Sequence, residues 1–326
     1  MQQAPATLDT LWNANLPIVI VGPTASGKTA IAVELAERID AEIINADSMQ
    51  IYRGMDIGTA KPTPEERERA VFHLLDRVEP DTQYSVAEWK TEAETAFETI
   101  SRRGRRVIIC GGTGLYIRSL LEDWTLAKTP ENPELREALR AELRQEGANV
   151  LHERLRTVDP ATAERLHPND GVRIVRALEV YQVTGKPISL WQAEDRQARA
   201  IRPAHYFGLD LPRPELYKRI DARVETMVAQ GLEEEVKTLQ SKGYPPLLSA
   251  LKSLGYREIL ATLNGEMDRE TAIATIKQST RQYAKRQLTW FRADKRIEWV
   301  EVSGKSANEV AILLLKVVEP SSTETL

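Results

Sequence analysis

The sequence is poor in cysteine and contains no long hydrophobic run. Among its 326 residues there is a single cysteine, Cys110. One cysteine excludes an intramolecular disulfide framework and a multi-cysteine metal site, which fits a reducing compartment. No apolar stretch approaches the roughly 20 residues that span a bilayer, and the N-terminus lacks a positively charged start followed by an apolar core. We therefore expect a cytoplasmic protein with no membrane partner.

An excess of positive charge is also absent. The formal net charge is −4, so composition gives no sign of a nucleic-acid partner, and any such surface has to be local. A chain of this length with 42% hydrophobic residues is sufficient for one large domain and a smaller unit.

Strand and helix patterns alternate over the first 121 residues. Short runs of apolar, β-branched residues predict strands at Leu16–Gly22, Glu42–Ala46 and Arg106–Cys110. Apolar positions at helical spacing predict a helix from Gly27 and another over Ser85–Ser101. This alternation is typical of an α/β fold with a parallel sheet and crossover helices.

Beyond about residue 121 the pattern is helical only. Helix starts are predicted at Asn132-Pro133, Asp159-Pro160 and Asn169-Asp170, and a helix end at Thr184-Gly185. The sequence therefore predicts an all-helical insertion domain over residues 122–200.

A strand pattern returns at His205–Leu211, helices follow from Arg213 to about Arg292, and Ile297–Val302 alternates like a last strand. The core domain is thus predicted to be discontinuous, with residues 1–121 and 201–319. The polar residues 320–326 are expected to form a disordered tail.

The pattern G-x-x-x-x-G-K-[ST] occurs once, between the first predicted strand and its helix. Its residues are Gly22, Pro23, Thr24, Ala25, Ser26, Gly27, Lys28 and Thr29. Glycines let backbone amides turn toward an anion, the lysine adds a charge, and the hydroxyl of Thr29 suits Mg²⁺. The sequence predicts a polyphosphate site on a P-loop NTPase-like core.

A carboxylate near this site follows the second strand. Most P-loop proteins handle nucleoside triphosphates, so a small-molecule kinase is an open alternative. The third strand, however, runs directly into Gly111–Tyr116, which contains no acid. Asp47 instead lies just past the second strand, at the edge where open α/β sheets bind ligands. There a carboxylate is placed to hold Mg²⁺ or to accept a proton from a nucleophile.

Five segments, in order, resemble the bacterial tRNA dimethylallyltransferases over roughly residues 15–295. They are Gly22–Thr29, Asp47–Gln50, Gly111–Tyr116, Arg176–Val180 with Thr184–Pro187, and Gln278–Arg292. The resemblance implies transfer of a dimethylallyl group from its diphosphate to the N6 amine of the adenosine immediately 3′ of the anticodon. Pyrophosphate would be the second product, Mg²⁺ the cofactor and the tRNA anticodon stem-loop the partner.

Roles for single residues follow from the same resemblance. Asp47 corresponds to the general base and Thr113 lies beside the reacting centre, while Arg223 is expected to reach the diphosphate held by the P-loop. The adenine must leave its stack to meet Asp47, so we expect a through-channel in the core. Asp47, Ser48, Met49 and Gln50 would border the flipped base, with Gln50 placed to read its edge.

The segment Lys277–Arg296 is expected to bind the tRNA backbone. It contains seven lysines and arginines against the single acid Asp294, and the resemblance implies tRNA contacts by Arg281, Lys285 and Arg286. By contrast, Arg102, Arg103, Arg105 and Arg106 lie at the opposite end of a strand from the ligands and are expected to be solvated.

In the insertion, the resemblance implies tRNA contacts at Val172, Arg173 and Arg176. Family members commonly have proline and glutamine where this chain has Gly171 and Val172, so a polar contact is expected only from the two arginines.

Two alternatives besides the kinase remain open. An isopentenyltransferase of free AMP or ADP would use the same P-loop, Asp47 and Thr113, but it would not need the insertion or the basic helix. A non-catalytic tRNA-binding protein would leave the phosphate site and its carboxylate without a purpose. The chain is expected to be a monomer.

Overall fold

The computed structural model describes residues 6–124, 132–244 and 250–319. The chain divides into two compact units. The core unit contains the described residues up to Leu121 and those from Arg202 onward, and the insertion unit runs from Glu122 to Ile201. The first boundary coincides with the expected one and the second lies one residue later. The tail expected at residues 320–326 is outside the described residues.

The described strands of the core unit form one six-stranded sheet in which every neighbouring pair is parallel. The order across the sheet is β3-β2-β4-β1-β5-β6. The strands are β1 (Ile18–Val21), β2 (Ala41–Asn45), β3 (Phe72–His73), β4 (Arg106–Gly111), β5 (His205–Asp210) and β6 (Glu298–Glu301). The predicted parallel α/β core is confirmed, although β3 was not expected because two residues are too short to produce an alternating pattern.

Helices surround this sheet and make up the insertion unit. In the first part of the chain they are α1 (Leu8–Ala14), α2 (Lys28–Ile39), α3 (Pro64–Arg69), α4 (Val86–Arg102) and α5 (Gly114–Leu121). The insertion unit contains α6 (Pro133–Glu146), α7 (Ala148–Val158), α8 (Pro160–Arg165), α9 (Gly171–Thr184) and α10 (Ile188–Ala198). The chain then forms α11 (Arg213–Ala229), α12 (Leu232–Ser241), α13 (Tyr256–Leu263), α14 (Arg269–Arg292) and α15 (Ala307–Val318). None of the described helices is long and apolar enough to cross a membrane.

The central strands are apolar on both faces, because helices cover both sides of a parallel sheet. On β1, Ile18 and Ile20 pack into one cluster with residues of α2, α11 and α15, while Val19 and Val21 pack into another with α1, α4 and α5. All four side chains are fully buried, and each contributes about 1.5–3 kcal/mol of burial free energy. The strand that precedes the P-loop is therefore held rigidly from both sides.

The arginine cluster at the start of β4 was expected from the sequence to be solvated, but two of its members bind a buried carboxylate. Glu42 of β2 is buried, and its carboxylate accepts hydrogen bonds from Arg103 (2.6 Å) and Arg105 (3.2 Å) and lies 2.6 Å from His73 Nε2. Burial alone would raise the pKa of Glu42, but the His73 hydrogen bond and the Arg103 charge hold it below its usual range. These arginines compensate a buried charge at the end of the sheet opposite the P-loop.

The helix boundaries predicted in the insertion unit are confirmed. The side chains of Asn132, Asp159 and Asp170 each accept a hydrogen bond from a first-turn amide, and Gly185 ends α9 in the left-handed conformation. A cluster of buried side chains from α6, α7, α8 and α9 gives this unit its own core.

Candidate active site

The P-loop joins β1 to α2 at the carboxyl edge of the sheet. Gly22 leaves little room for a Cβ, which would lie 3.1 Å from Ser26 Oγ and 3.2 Å from Leu209, and Gly27 adopts a left-handed φ of 89°. Gly27 is the N-cap residue of α2, and because it has no side chain, no side-chain hydrogen bond occupies the first amides of the helix. The first amides of α2 therefore point into the loop together with the positive end of the helix dipole, which is the arrangement that binds phosphate.

Lys28 lies inside this loop. Its Nζ donates to the carbonyl oxygens of Gly22 (3.0 Å) and Pro23 (2.8 Å). Burial lowers the pKa of Lys28 to about 8, and the nearby guanidinium of Arg223 acts in the same direction, while Asp47 opposes it. An anion in the loop would stabilise the charged ammonium.

Asp47 and Thr113 are brought together because β2 and β4 are neighbours. Thr113 Oγ1 accepts from the Ser48 amide at 2.9 Å and donates to Ser48 Oγ at 3.2 Å. One carboxylate oxygen of Asp47 accepts from the Met49 amide at 2.9 Å. Within the described residues, the other oxygen of Asp47 accepts no hydrogen bond and is available to a ligand.

The glycine loop after β4 permits this close approach. A Cβ on Gly111 would lie 2.1 Å from the Ala46 carbonyl oxygen, which itself accepts from the Thr113 amide at 3.1 Å. An acid or any other side chain at position 111 would push β4 away from β2. The absence of an acid directly after β4 thus has a steric reason.

Arg223 of α11 is the second cation near the P-loop. It lines the same cavity as Lys28 and Asp47, and it makes no hydrogen bond or ion pair with any residue in the described ranges. Burial lowers its pKa, and the charge of Asp47 partly opposes this. A half-buried guanidinium in a cavity, without a hydrogen-bonded partner among the described residues, is a strong site for an anion that binds two of its donors.

Gln287 was missed by sequence reasoning. Its side chain, 6% exposed, accepts from the Thr24 amide at 2.8 Å and donates to the Gly112 carbonyl at 3.0 Å. It thereby connects α14 to the P-loop and to the glycine loop after β4. Its only sequence signal is a helical spacing shared with Ala284 and Phe291, which marks the buried face of α14.

Two cavities meet at these residues. The first, about 300 Å³, is lined among others by the P-loop, Asn45, Gln50, Cys110 and Glu66 of α3. The second, about 350 Å³, is lined mainly by Ser48, Met49, Met227, Tyr256, Ile276 and Arg286. The residues that line both are Thr24, Asp47, Thr59, Arg223 and Tyr283. A carboxylate and a guanidinium thus lie where the two cavities join.

The structure separates Gln50 from its neighbours. Ser48 and Met49 line the second cavity, whereas Gln50 lines the first. The Gln50 side-chain nitrogen donates to the carbonyl oxygens of Thr59 (3.1 Å) and Ala60 (3.0 Å). Gln50 therefore holds the backbone in place, and its amide hydrogens are not free to read a base edge as expected.

The basic segment Lys277–Arg296, which covers the C-terminal part of α14 and the residues after it, is less positive than its sequence suggested. Four of its cations pair with carboxylates: Lys277 with Glu225, Arg281 with Asp221, Arg292 with Asp210 and Arg296 with Asp294. Arg281 is held by both oxygens of Asp221 at 2.6 Å. Lys285, Arg286 and Lys295 remain exposed and without an ion pair in the described part of the chain.

The three positions singled out in the insertion unit differ in environment. Val172 is 79% exposed, and Arg173 is exposed and pairs with Asp170 at 2.8 Å. Arg176 donates at 2.9 Å to Glu179, whose side chain is fully buried and also binds Arg136. Arg176 therefore compensates a buried charge, which leaves Arg173 as the more accessible cation.

A resident metal centre is not built into the described residues, which contain no group of three histidine, cysteine or acidic side chains able to hold one. Thr29 and Asp47 nevertheless line the first cavity together. Mg²⁺ commonly uses one or two protein oxygens, with substrate phosphates and water as its remaining ligands. The site fits a Mg²⁺ ion that arrives with a diphosphate.

Comparison with known proteins identifies the family. The family model described as IPP transferase matches residues 50–294. The chain is a member of the IPP transferase family. Its motif resemblance and its P-loop-type α/β fold are both confirmed, and membership disfavours the kinase alternative.

Similar IPP transferases cover nearly the whole chain. The chain is 53% identical over 288 residues to the tRNA dimethylallyltransferase of Geobacter metallireducens, covering 88% of this chain and 93% of that one. It is 48% identical over 298 residues to the tRNA dimethylallyltransferase of Symbiobacterium thermophilum, covering 90% of this chain and 92% of that one.

Solved structures of IPP transferases are also similar to this chain over most of its length. The full-length tRNA isopentenylpyrophosphate transferase from Bacillus halodurans has a TM-score of 0.69 at 36% identity, covering 94% of this chain and 96% of that one. A eukaryotic dimethylallyltransferase acting on tRNA has a TM-score of 0.76 at 27% identity, covering 95% and 81%.

The lowered pKa of Lys28 predicts a pH-dependent affinity for diphosphates. Below pH 8 the ammonium is charged and favours the anion, whereas above pH 8 the free protein loses this proton. The Kd of an unreactive diphosphate monoester should therefore rise as the pH increases above about 8, approaching roughly tenfold per pH unit. Calorimetric titration between pH 6.5 and 9.5 measures this.

Lys28→Arg is the matched control, because its guanidinium stays charged over this range. Cys110 and Tyr283 do not titrate there, since burial raises the pKa of Cys110 to about 12 and that of Tyr283 further. A wild-type affinity that is constant across the range would contradict the assignment of Lys28 to the anion.

Proposed function

We propose that this IPP transferase transfers a dimethylallyl group from dimethylallyl diphosphate to the N6 amine of the adenosine immediately 3′ of the anticodon in tRNA. The observation that carries the proposal is the junction of the two cavities. Asp47 and Arg223 line both, so a leaving diphosphate and an amine acceptor can approach one base from two sides. A nucleotide-hydrolysing enzyme needs no second cavity of this kind.

The first cavity suits the diphosphate. The amides at the start of α2, Lys28 and Arg223 present positive potential where charge develops on the departing pyrophosphate. Mg²⁺, held by Thr29 and the diphosphate, would supply further charge neutralisation to the leaving group. These groups favour breaking the bond between carbon 1 of the dimethylallyl group and the diphosphate oxygen.

Asp47 suits the role of general base. The N6 nitrogen attacks carbon 1, pyrophosphate leaves, and the proton of the amine passes to the carboxylate. An aromatic amine is a weak nucleophile, so a positioned proton acceptor accelerates the step by about 10²–10⁴. Thr113 fixes the backbone after Asp47 through its two hydrogen bonds to Ser48.

The second cavity suits the adenine. Its lining by Met49, Met227, Tyr256 and Ile276 is apolar and aromatic, which fits the faces of a flipped base. Arg286 lies at the same cavity, and its guanidinium is 5.7 Å from the ring of Tyr283. An exposed cation at the second cavity fits the phosphates that flank the extruded nucleotide.

The pattern of ion pairs on α14 predicts which cation holds the tRNA backbone. Lys285→Ala should weaken tRNA binding and flatten the slope of log Kd against log salt by roughly 0.7–0.9, because one counterion-releasing contact is lost. Arg281→Ala should leave the slope nearly unchanged, because that guanidinium is occupied by Asp221. Filter binding of tRNA at several salt concentrations distinguishes the two variants. A flattened slope in Arg281→Ala alone would contradict this assignment.

Labelled dimethylallyl diphosphate tests the proposed function directly. The protein is incubated with the labelled donor and Mg²⁺ and with tRNA, AMP or ADP, and the label is then located by nucleoside analysis. The proposal expects label on N6 of one adenosine of tRNA and none on the free nucleotides. Label on AMP or ADP would support the free-nucleotide alternative. Absence of transfer to all three acceptors would contradict the proposal.

A further inference from the structure

A short segment, residues 55–60, forms a wall at the junction of the two cavities. Gly58 lines the second cavity, Ala60 lines the first, and Thr59 lines both together with Asp47. The segment belongs to no helix or strand. Besides a few local backbone hydrogen bonds, its position depends on side chains from elsewhere in the core unit. We call residues 55–60 the wall segment.

Glu235 of α12 holds one end of the wall segment. Its Oε2 accepts from the amides of Asp56 (2.8 Å) and Ile57 (2.7 Å), and its Oε1 accepts from the amide of Gly58 at 3.1 Å. Three successive backbone amides thus converge on one carboxylate, which is the geometry that backbone uses to bind anions. Hydrogen bonds to an ionised acceptor are among the stronger ones in proteins.

Tyr256 completes the arrangement. Its hydroxyl donates to Glu235 Oε1 at 2.7 Å, and its fully buried ring packs against Gly58, where a Cβ would lie 2.5 Å from the ring. Tyr256 also lines the second cavity. Glu235 therefore fixes two parts of the same cavity at once, namely the phenol ring and the backbone that faces it.

The other end of the wall segment is held separately. Gln50 donates to the carbonyl oxygens of Thr59 and Ala60, and the Thr59 hydroxyl donates to the Met55 carbonyl at 2.6 Å. Lys61 binds the Asp56 carboxylate at 2.6 Å, and the amides of Ala60 and Lys61 donate to the carbonyl oxygens of Ile57 and Asp56. Loss of the Glu235 contacts would consequently leave the amides of residues 56–58 without their acceptor, without unfolding the segment as a whole.

We propose that Glu235 is a positioning residue, which acts through the wall segment and Tyr256 to fix the width of the junction where the donor carbon and the acceptor amine meet. This inference rests on the proposed transfer reaction. Small displacements of a reacting pair lower the rate strongly, whereas binding that is made elsewhere is unaffected. Glu235 therefore sets turnover rather than tRNA affinity.

The test uses Glu235→Gln in the full chain, with Glu234→Gln as the matched control. Glu234 is the adjacent residue on α12, but its side chain is 74% exposed and pairs with Lys237. The carboxylate of Glu235 accepts hydrogen bonds from backbone N–H groups. The side-chain NH2 of a glutamine there is itself a donor and could not accept them. Single-turnover transfer to tRNA should fall about tenfold or more in Glu235→Gln, with the tRNA Kd unchanged within about twofold. Glu234→Gln should match wild type in both.

Hydrogen exchange supplies a readout that does not need activity. The amides of Asp56, Ile57 and Gly58 should exchange faster in Glu235→Gln, while the protection of β1 and β4 stays as in wild type. Tyr256→Phe, which removes one of the four hydrogen bonds, should give a smaller effect of the same kind on exchange and on turnover.

Three results would overturn the inference. In the first, exchange at these amides is unchanged in Glu235→Gln. In the second, exchange is faster but turnover is as in wild type. In the third, protection of the whole core unit and tRNA affinity are lost together, which would make Glu235 a general stability residue. If wild type transfers no label to tRNA, the proposed function fails, and the exchange experiment still decides whether Glu235 holds the wall.

Discussion

The close approach of β2 and β4 is the constraint on which the site depends. At Gly111 the backbone of one strand comes so near the Ala46 carbonyl of the other that no side chain fits between them. This contact brings Thr113 onto Ser48 and leaves Asp47 next to the P-loop that follows β1, on the far side of β4. Parallel neighbours bring their carboxyl ends to one edge of the sheet, so the sheet itself places the Asp47 carboxylate and the P-loop near each other.

Electrostatics complement this geometry. Lys28 and Arg223 are both desolvated, and their pKa values are lowered, in a cavity whose nearby carboxylate only partly compensates them. In the proposed reaction, the diphosphate supplies the missing negative charge and offsets that desolvation on binding. As the bond to carbon 1 breaks, charge on the departing oxygen increases, so the same cations bind the transition state more tightly than the substrate. A prenyl transfer thus uses a phosphate-binding loop without moving a phosphoryl group.

Local patterns predicted the parts of the site that are local in the chain. The P-loop and the caps at Asn132, Asp159 and Asp170 depend on residues a few positions apart, and Asp47 follows from its place after a strand. Contacts between distant segments were not predictable. Gln287 reaches Thr24 across 263 positions, and Arg281 meets Asp221 across 60, so neither leaves a periodic signal. The basic segment was overestimated for this reason, because its neutralising carboxylates lie on other elements.

The identity of the proton acceptor is the central claim, and Asp47→Asn tests it most directly. Asparagine keeps the size and the hydrogen bond to the Met49 amide but is a very poor base. With tRNA and donor both bound, the single-turnover rate of N6 alkylation should fall by about 10²–10⁴, while the Kd for tRNA and for the donor stay within about twofold of wild type. A single-turnover rate near the wild-type value would contradict the account, because the amine would then lose its proton to another group.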